Sequence, residues 1–378
     1  MVRVEKVLMS DGKTRYMLVN TQGDPVQPVL SFLRFKDNSG MARNTLKAYC
    51  YHLKLYFEFL NQHGLDYKAA GIDEIAEFLR WLQNPYGTNK VTPITPVTSS
   101  RTAGTCNTII STVLSFYDYL MRHEDYSIQL SERLKRSISG SRRGFKGFLY
   151  HIDKKKEYPA KMLKLKEPKR RPRTITKNQV NQVVDTCSNL RDKFLITLLW
   201  ETGMRIGEAL ALWLDDFEVD ACRVHVCDRG ELSNFAEIKT ICSPRAIDVS
   251  IELINMFLGY AAAYHTDDVD TNYVFINVSG PNVNQPMEYP DVTSLFSRLK
   301  AKTGIALLHP HFLRHSSLDA LRRAGWAPEK IQKRAGHAHV QTTMNEYFHV
   351  TDEELRDEWV KAQEQIKLNK TGKDSDIV

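Results

Sequence analysis

Apolar residues in the first half of the chain recur at the three- and four-residue steps that are typical of amphipathic helices. One such stripe covers residues 46–60, a second covers residues 75–82 and a third covers residues 109–120. A helix with one apolar face has to bury that face against another element. The three stripes therefore predict a small all-helical domain over residues 28–137.

A different pattern comes before these stripes. Residues 4–9 and 14–19 are two short runs of apolar residues interrupted by charged ones, and they flank Asp11-Gly12. An Asp-Gly pair between two such runs is a strong turn signal, because it accepts the positive φ values of a tight hairpin. Residues 1–27 are therefore predicted to form an N-terminal β-hairpin.

The helical period resumes in the second half of the chain with a capping box at Thr176. Between residues 224 and 249 the period changes to two, which predicts short antiparallel strands. The pattern is helical again from residue 292 onward. A second, mixed domain is therefore predicted over residues 174–365, followed by a tail over residues 366–378. The predicted fold class is mainly α with a small antiparallel sheet (α+β).

The basic residues of the chain are concentrated between its two halves. The net charge is +7, but the stretch from Arg133 to Lys177 has 17 Lys and Arg against 3 acidic residues, so the rest of the chain carries −7. This stretch could be a solvated spacer, yet aromatic residues such as Phe145 and Tyr150 lie among its charges and favour a polyanionic partner, most commonly nucleic acid. Residues 138–173 are predicted to be a basic linker that binds DNA. The side chains expected to contact DNA are Arg142, Arg143, Lys146, Lys169, Arg170, Arg171 and Arg173.

Composition argues against several classes of protein. No apolar run approaches the ~20 residues that a membrane-spanning helix requires, and the N-terminus lacks the apolar segment of a secretory signal. The six cysteines are scattered without a CxxC pair, which argues against a disulfide framework and a zinc ribbon. We therefore expect a cytoplasmic protein with reduced thiols and no membrane partner.

Four short motifs in the second domain carry candidate chemistry. They are Glu-Thr-Gly-Met-Arg-Ile-Gly-Glu around Arg205, Glu-Ile-Lys at Lys239, His-Pro-His-Phe-Leu-Arg-His around Arg314, and Gly-His followed by Tyr347. Taken singly, each motif is only weak evidence for a catalytic site. An arginine beside a glycine usually makes a surface ion pair, a lysine in a hairpin is usually exposed, and a tyrosine near a C-terminus usually packs.

Clustered histidines suggest a metal site as an alternative. Their HxH and HxxxH spacings lack a nearby Asp, Glu or Cys ligand set, which is poor support for zinc. We therefore expect neither a metal nor another cofactor. The histidines concerned are His309, His311, His315, His337 and His339.

In chain order, the motifs resemble the catalytic set of the tyrosine recombinase (phage integrase) family, which consists of Arg, Lys, His-x-x-Arg, His or Trp, and Tyr. The first helical stripe is also similar to the first helix of the family's SAM-like core-binding domain, so the resemblance covers about residues 28–365. Two departures are Ala335, where Leu is usual, and a Tyr347 that follows His337 by ten residues instead of the common nine. The resemblance implies a SAM-like DNA-binding domain and a catalytic domain. Its implied catalytic residues are Arg205, Lys239, His311, Arg314, His337 and Tyr347.

The resemblance implies that two arginines bind the phosphate of the DNA. A DNA phosphodiester is anionic and becomes more so in the transition state, and the planar guanidinium groups of Arg205 and Arg314 match phosphate geometry. His337 is the implied hydrogen-bond donor to the same phosphate. Glu208, one helical turn after Arg205, is a candidate for orienting its neighbours.

The proton transfers are assigned to the other three residues. Tyr347 is the implied nucleophile, but a phenol with a pKa of about 10 is almost fully protonated near pH 7. His311 is therefore the implied base that removes its proton, and Lys239 is the implied acid that protonates the departing 5′-oxygen. The expected product is a 3′-phosphotyrosyl intermediate that keeps the energy of the broken bond, so strand exchange needs neither ATP nor a metal.

Other functions stay open at this point. A type IB topoisomerase uses similar residues but acts by itself to relax supercoiled DNA. A DNA-binding factor that has lost catalysis would keep the same fold. The form of the motifs favours recombination, and the intact catalytic set argues against lost catalysis. Among phage integrases, chromosome-dimer resolvases and transposases, the length, hairpin and basic linker most resemble transposase A of bacterial site-specific transposons.

The resemblance also implies partners. These are double-stranded DNA, three further copies of the chain in a homotetramer, and accessory recombination proteins. In the family, the segment equivalent to residues 351–368 commonly docks on a neighbouring protomer, and here it is predicted to be a helix that packs either in cis or in trans. A DNA-acting enzyme of this kind is expected at the nucleoid.

Overall fold

The fold consists of two units, Met1–Lys169 and Arg170–Val378. A computed structural model of the chain describes residues 2–10, 12–84, 99–123, 135–138, 158–161, 165–167, 174–238, 242–347, 356, 359–360 and 362–363. Lys239 and the seven linker side chains expected to contact DNA lie outside these described residues, as does most of the helix predicted over residues 351–368.

The first unit combines the expected β-hairpin with the expected amphipathic helices. The two strands pair antiparallel with Arg3 opposite Val19, and Gly12 in the turn has a φ of 78°, which glycine adopts readily. Its hairpin and helices are β1 (Arg3–Leu8), β2 (Thr14–Val19), α1 (Gln27–Asn38), α2 (Arg43–His63), α3 (Ile72–Gln83) and α4 (Ala103–His123).

The hairpin shares the core of the helices. Leu18 of β2 is buried in the same apolar cluster as Leu53 of α2. Within this cluster the hydroxyls of Tyr56 and Tyr117 lie 2.5 Å apart, and Tyr117 donates to the carbonyl oxygen of Tyr67 over 2.7 Å. These hydrogen bonds satisfy polar atoms that would otherwise be costly to bury. The hairpin and the helices therefore form one folded unit.

Part of the basic stretch also belongs to the first unit. Strands β3 (Lys135–Ile138) and β4 (Tyr158–Lys161) pair antiparallel, which the sequence pattern did not predict. Further on, the Asn107 side chain accepts from the backbone N–H of Leu165 over 2.8 Å and donates to the Leu165 carbonyl over 3.0 Å. The side chain of Leu165 packs against the core of the first unit. The chain thus returns to α4 shortly before the second unit begins.

The second unit is mostly helical, with one three-stranded antiparallel sheet in the order β5-β6-β7. The predicted fold class is therefore confirmed, and so is the capping box between Thr176 and Gln179. The short strand β5 was not predicted. The elements are α5 (Lys177–Thr186), α6 (Leu190–Thr202), α7 (Ile206–Leu210), a 3-10 turn (Leu214–Asp216), β5 (Phe217–Glu218), β6 (Arg223–Val226), β7 (Arg245–Asp248), α8 (Ile251–Tyr264), α9 (Tyr289–Thr303), α10 (Pro310–Arg323), α11 (Pro328–Ala335) and α12 (Val340–Tyr347).

Helix α6 is the centre of this second core. Most of its residues are buried, and Phe194 contacts four aromatic rings from the sheet, from α8 and from the segment after it, with centroid distances between 5.5 and 5.9 Å. Buried aromatic side chains contribute roughly 1.5–3 kcal/mol each to folding. The C-terminal end of α6 is therefore fixed in place, and the candidate site begins there.

A search of the described helices for a segment with the length and hydrophobicity of a membrane span finds none.

Candidate active site

The turn that carries Arg205 forms where α6 ends. Gly203 has a left-handed φ of 63°, and a Cβ atom there would lie 3.0 Å from the side chain of Leu318. Both facts favour glycine at this position. Arg205 is the N-cap of α7: its backbone N–H donates to Glu208 Oε2 over 2.8 Å, and its Nη1 donates to Glu208 Oε1 over 2.9 Å. The carboxylate thereby fixes both the backbone and the side chain of Arg205.

Glu208 also binds a second arginine. Its side chain is fully buried, and Arg245 donates to both of its oxygens, over 3.0 Å from Nη2 and 3.2 Å from Nη1. Arg245 Nε in turn donates to the carbonyl oxygen of Arg334 over 2.7 Å. Burial alone would raise the pKa of Glu208, but the hydrogen bonds and the charge of Arg245 lower it to about 2. The carboxylate is therefore charged at neutral pH and holds two guanidinium groups.

Arg245 is a part of this site that sequence reasoning missed. The residue follows Lys239 by six positions but was given no role. A signal was present, because side chains two residues apart on a strand point to the same face. Ile247 is buried and Arg245 shares its face of β7, so a charged side chain stands at a core-facing position of the sheet.

Arg314 comes to the same place from α10. Only 2% of the residue is exposed, and its guanidinium donates to the carbonyl oxygens of Gly203 and Ala335, each over 2.7 Å. Burial and the nearby charge of Arg205 lower the pKa of Arg314 to about 10, while Tyr347 acts in the opposite direction. Arg314 therefore stays charged at neutral pH in spite of its burial.

The end of α11 brings the two arginines together. This helix stops at Gly336, whose φ of 63° is left-handed, and leaves its last carbonyl groups without helical partners. Arg205 reaches the carbonyl oxygens of Ala335 and Gly336 at 3.5 Å, and Arg314 reaches that of Ala335 at 2.7 Å. The negative end of the helix dipole partly offsets the repulsion between the two cations.

His337 follows directly and stacks on the tyrosine. Its Nε2 lies 2.9 Å from Arg314 Nη2, and its Nδ1 lies 2.8 Å from Thr343 Oγ1. An arginine can only donate, so Nε2 accepts and the imidazole proton is on Nδ1. Burial, followed by the charges of Arg314 and Arg205, lowers the pKa of His337 to about 4. The imidazole is therefore neutral at pH 7.

Tyr347 is the last residue of α12 and is only 4% exposed. Its ring is nearly parallel to that of His337, with centroids 6.1 Å apart and an interplanar angle of 5°. Tyr347 also belongs to a small apolar cluster with Leu318 and Ile331. Tyr347 is also close enough to Arg314 to interact with its charge. Tyr347 thus lies beside Arg314 of its own chain.

His311 joins the group through a second histidine. The side chain of His311 is exposed in the first turn of α10, and its Nε2 lies 2.8 Å from Nε2 of His315. The two imidazole rings meet nearly edge to face, with centroids 4.2 Å apart. The ring of His315 in turn lies 5.4 Å from that of Tyr347. The structure therefore connects five of the six candidate catalytic residues, and the sixth, Lys239, lies outside the described residues.

Chemically, this arrangement provides two permanent positive charges, a neutral imidazole and a phenol around one set of backbone carbonyl groups. Side chains of this kind are suited to binding an oxyanion and to attacking a centre beside it. Among the residues that the structure describes, no group of three or more His, Cys, Asp or Glu side chains is arranged as metal ligands.

Two sequence-family profiles match the chain. The "Phage integrase family" profile matches residues 173–354, and the "Phage integrase, N-terminal SAM-like domain" profile matches residues 32–124. The first match spans the site described above, and the second spans most of the helices of the first unit.

Curated relatives match over nearly the whole chain. Transposase A from transposon Tn554 of Staphylococcus aureus is 37% identical over 94% of this chain and 96% of its own length. Tyrosine recombinase XerC of Staphylococcus saprophyticus is 24% identical over 86% of this chain and 93% of its own length.

Solved structures share the fold. The Tn1549 transposon integrase in complex with a circular intermediate DNA superposes with a TM-score of 0.61, at 16% identity over 89% of this chain and 99% of that one. The XerH recombinase bound to palindromic difH substrate gives a TM-score of 0.59, at 16% identity over 87% of this chain and 93% of that one. At such identities the likeness concerns the fold alone.

Proposed function

The chain belongs to the phage integrase family of tyrosine recombinases, and we propose that it breaks and rejoins DNA strands at specific sites through a covalent phosphotyrosine. The observation that carries this proposal is the meeting of Arg205, Arg314, His337 and Tyr347 at the end of α11. These residues come from separate segments of the chain, and packing brings them together. The 37% identity to transposase A from transposon Tn554 supports a transposase role among the recombinases.

The two arginines bind the phosphate in this proposal. Non-bridging phosphate oxygens accept hydrogen bonds from Arg205 and Arg314, and their growing charge in the transition state strengthens those bonds. Preorganised donors of this kind contribute roughly 2.7–4 kcal/mol each to lowering the barrier. Glu208 keeps Arg205 oriented without direct contact with the substrate, since its own carboxylate is buried between arginines.

His337 needs a change of tautomer to donate to the phosphate. In the structure its Nε2 accepts from Arg314, and its proton is on Nδ1. The Thr343 hydroxyl both donates and accepts, so it can turn and donate to Nδ1 once the imidazole proton has moved to Nε2. Thr343 is fully buried, so this change of tautomer takes place inside the protein.

The covalent step transfers one proton at each end of the reacting system. As the Tyr347 oxygen bonds to phosphorus, its phenol proton goes to His311, and the bond from phosphorus to the 5′-oxygen breaks. The leaving oxygen takes a proton from a general acid, for which Lys239 is the expectation from the resemblance. Because Tyr347 is only 4% exposed, its hydroxyl has to become accessible to the phosphate for the attack.

Double-stranded DNA is the proposed partner. The integrase and XerH structures that share this fold are DNA complexes, and the basic stretch from Arg133 to Lys177 provides charge suited to phosphate contacts. A homotetramer on two DNA sites, accessory recombination proteins and a location at the nucleoid in the cytoplasm complete the proposal. The affinity of such a complex should fall steeply with salt concentration, because phosphate contacts release counterions.

A covalent trapping assay tests this function. The full chain is incubated with a pool of nicked duplexes made from fragmented DNA of its source cell, and products are separated on a denaturing gel. We expect a covalent protein–DNA band with the wild-type chain and with Tyr264→Phe, a control on α8. The Tyr347→Phe variant should give no band. A band of undiminished intensity with Tyr347→Phe would place the nucleophile elsewhere.

A further inference from the structure

Arg245 is a positive charge of the site that the family resemblance leaves without a role. Both terminal nitrogens of its guanidinium donate to the carboxylate of Glu208, over 3.2 Å from Nη1 and 3.0 Å from Nη2. Its Nε donates to the carbonyl oxygen of Arg334 over 2.7 Å, and its Nη1 also donates to that of Ser243 over 2.6 Å. These contacts hold the guanidinium of Arg245 in one orientation, against the carboxylate.

Glu208 orients Arg205 but also opposes its charge. The carboxylate accepts from the backbone N–H of Arg205 over 2.8 Å and from its Nη1 over 2.9 Å. Two opposite charges this close together exert little net attraction on a third ion. Glu208 alone would therefore cancel much of the attraction between Arg205 and a DNA phosphate.

Arg245 compensates for this cancellation. Glu208 is charged at neutral pH and contacts both guanidinium groups, so the three residues together keep one net positive charge. The two arginines differ in exposure, since 22% of the Arg205 side chain is exposed against 7% of the Arg245 side chain. Arg205 is therefore the arginine that is more open to a ligand, and Arg245 is the one that balances the carboxylate.

The charges of Arg245 and Glu208 also act on the other site residues, and in opposite directions. Burial has the largest effect on the pKa of His337 and lowers it; among the smaller effects, Arg245 lowers this pKa and Glu208 raises it. Burial also has the largest effect on the pKa of Arg314 and lowers it, and here too Arg245 lowers the pKa while Glu208 raises it. At both places the charge of Arg245 thus offsets that of Glu208.

We propose that Arg245 is a positioning residue that acts through Glu208: its charge neutralises the carboxylate, so that Glu208 orients Arg205 without weakening its attraction for the scissile phosphate. The site then offers the phosphate two positive charges, from Arg205 and Arg314. Negative charge grows on the phosphate oxygens in the transition state, so a missing positive charge slows the reaction. This inference rests on the proposed function, because it presupposes that these two arginines bind the phosphate that Tyr347 attacks.

Substitutions that change the charge at positions 245 and 208 test the inference. The substrate is the duplex recovered from the covalent complex of the trapping assay. The measured quantity is the rate of covalent complex formation, with protein in excess over DNA but below saturation. Circular dichroism checks that each variant is folded. Arg245→Gln keeps a hydrogen-bond donor near Glu208 but no charge, and it is measured beside Arg245→Met so that one uncharged variant remains if the other does not fold.

We expect the two uncharged variants to be slower than wild type by about 10- to 100-fold, the effect of one charge at short range. This is less than the roughly 10²- to 10³-fold loss caused by removing a donor that contacts the oxyanion itself. Arg245→Lys keeps the positive charge and should be faster than both. Arg223→Met, an exposed position on the same sheet, should react at the wild-type rate.

The double variant Glu208→Gln/Arg245→Met removes one charge of each sign. Arg205 and Arg314 then keep their full attraction for the phosphate, so the double variant should be faster than Arg245→Met alone. A gain in stability could also raise this rate, so the charge of the substrate is changed as well.

A substrate with one non-bridging oxygen of the scissile phosphate replaced by methyl supplies that second criterion. Its transition state carries one negative charge fewer, so the loss caused by Arg245→Met should be about half as large on a logarithmic scale. A loss that came only from a disturbed structure would be equal on both substrates.

Four results would each overturn the inference. They are equal losses on the two substrates, uncharged variants as fast as wild type, an Arg245→Lys as slow as the uncharged variants, and a double variant no faster than Arg245→Met. Failure of the proposed function is distinct, since it would show as a Tyr347→Phe variant that still forms the covalent complex.

Discussion

The ion pair between Glu208 and Arg245 offers the sharpest test of how the site is held. We predict that Arg245→Met lowers the free energy of unfolding of the second unit by about 3 kcal/mol at pH 7. The side chain of Glu208 is 0% exposed and that of Arg245 only 7%, so methionine would fill the space of the arginine but leave a buried carboxylate. Arg205 remains as a partial partner, which places the loss at the lower end of the 3–5 kcal/mol range for broken buried pairs.

The pKa of Glu208 gives an independent estimate of the same size. Burial raises this pKa, but the hydrogen bonds and charge of Arg245, followed by the charge of Arg314 and the backbone N–H of Arg205, together lower it from 4.5 to about 2. Such a fall corresponds to roughly 3 kcal/mol of stability. A lowered carboxyl pKa stabilises the fold above pH 4.5, and this contribution disappears as the pH falls toward 2. The deficit of Arg245→Met should therefore be largest at neutral pH.

Urea unfolding followed by tryptophan fluorescence measures this loss. Four of the five tryptophans lie in the second unit, so the signal reports mainly on it. With a urea slope of about 1–3 kcal/mol per molar, the midpoint should fall by roughly 1–3 M. Arg223→Met is the matched control, because Arg223 pairs with Asp248 across the same sheet but both side chains are exposed. Its midpoint should stay near that of the wild type.

The double variant Glu208→Gln/Arg245→Met separates the buried charge from lost packing. Removing the carboxylate charge should restore part of the stability that Arg245→Met loses, because no uncompensated ion then remains in the core. An Arg245→Met midpoint equal to that of Arg223→Met, or a double variant less stable than Arg245→Met alone, would refute the reasoning.

Three further outcomes are expected. The pKa of His337 is lowered to about 4, so below pH 6.5 the unfolded chain takes up a proton before the folded chain does and the fold loses stability. In urea unfolding, His337→Asn should therefore reduce the loss of stability between pH 7 and pH 5 by about 2 kcal/mol. Gly336→Ala should lower the melting temperature more than Gly325→Ala, because both positions have positive φ but only a Cβ at Gly336 would meet other atoms, at 2.8 Å. Equal pH dependence or equal melting temperatures would contradict these two expectations. Finally, three linker side chains are replaced by glutamine, namely Arg142, Arg143 and Lys146. If each contacts a phosphate, the slope of the logarithm of the DNA-binding constant against the logarithm of the salt concentration should become shallower by about 3. An unchanged slope would exclude such contacts.

Local sequence determined the helices and the chemical inventory of this protein. Amphipathic periodicity located the stripe over residues 46–60, which the structure shows as part of α2, because a helix that buries one face repeats its apolar positions every three to four residues. The order Arg205, Arg314, His337 and Tyr347 indicated the chemistry, since a phosphate transition state requires permanent donors and an attacking group.

Only tertiary structure decided how these side chains are held. The pairing of Glu208 with Arg245 joins segments 37 residues apart, and the contact of Arg314 with Gly203 joins segments 111 residues apart. The contact of His315 with Tyr347 likewise depends on the packing of α10 against α12. No local pattern encodes which buried donor meets which acceptor, because that choice is made when separate elements pack and their polar groups must find partners away from water.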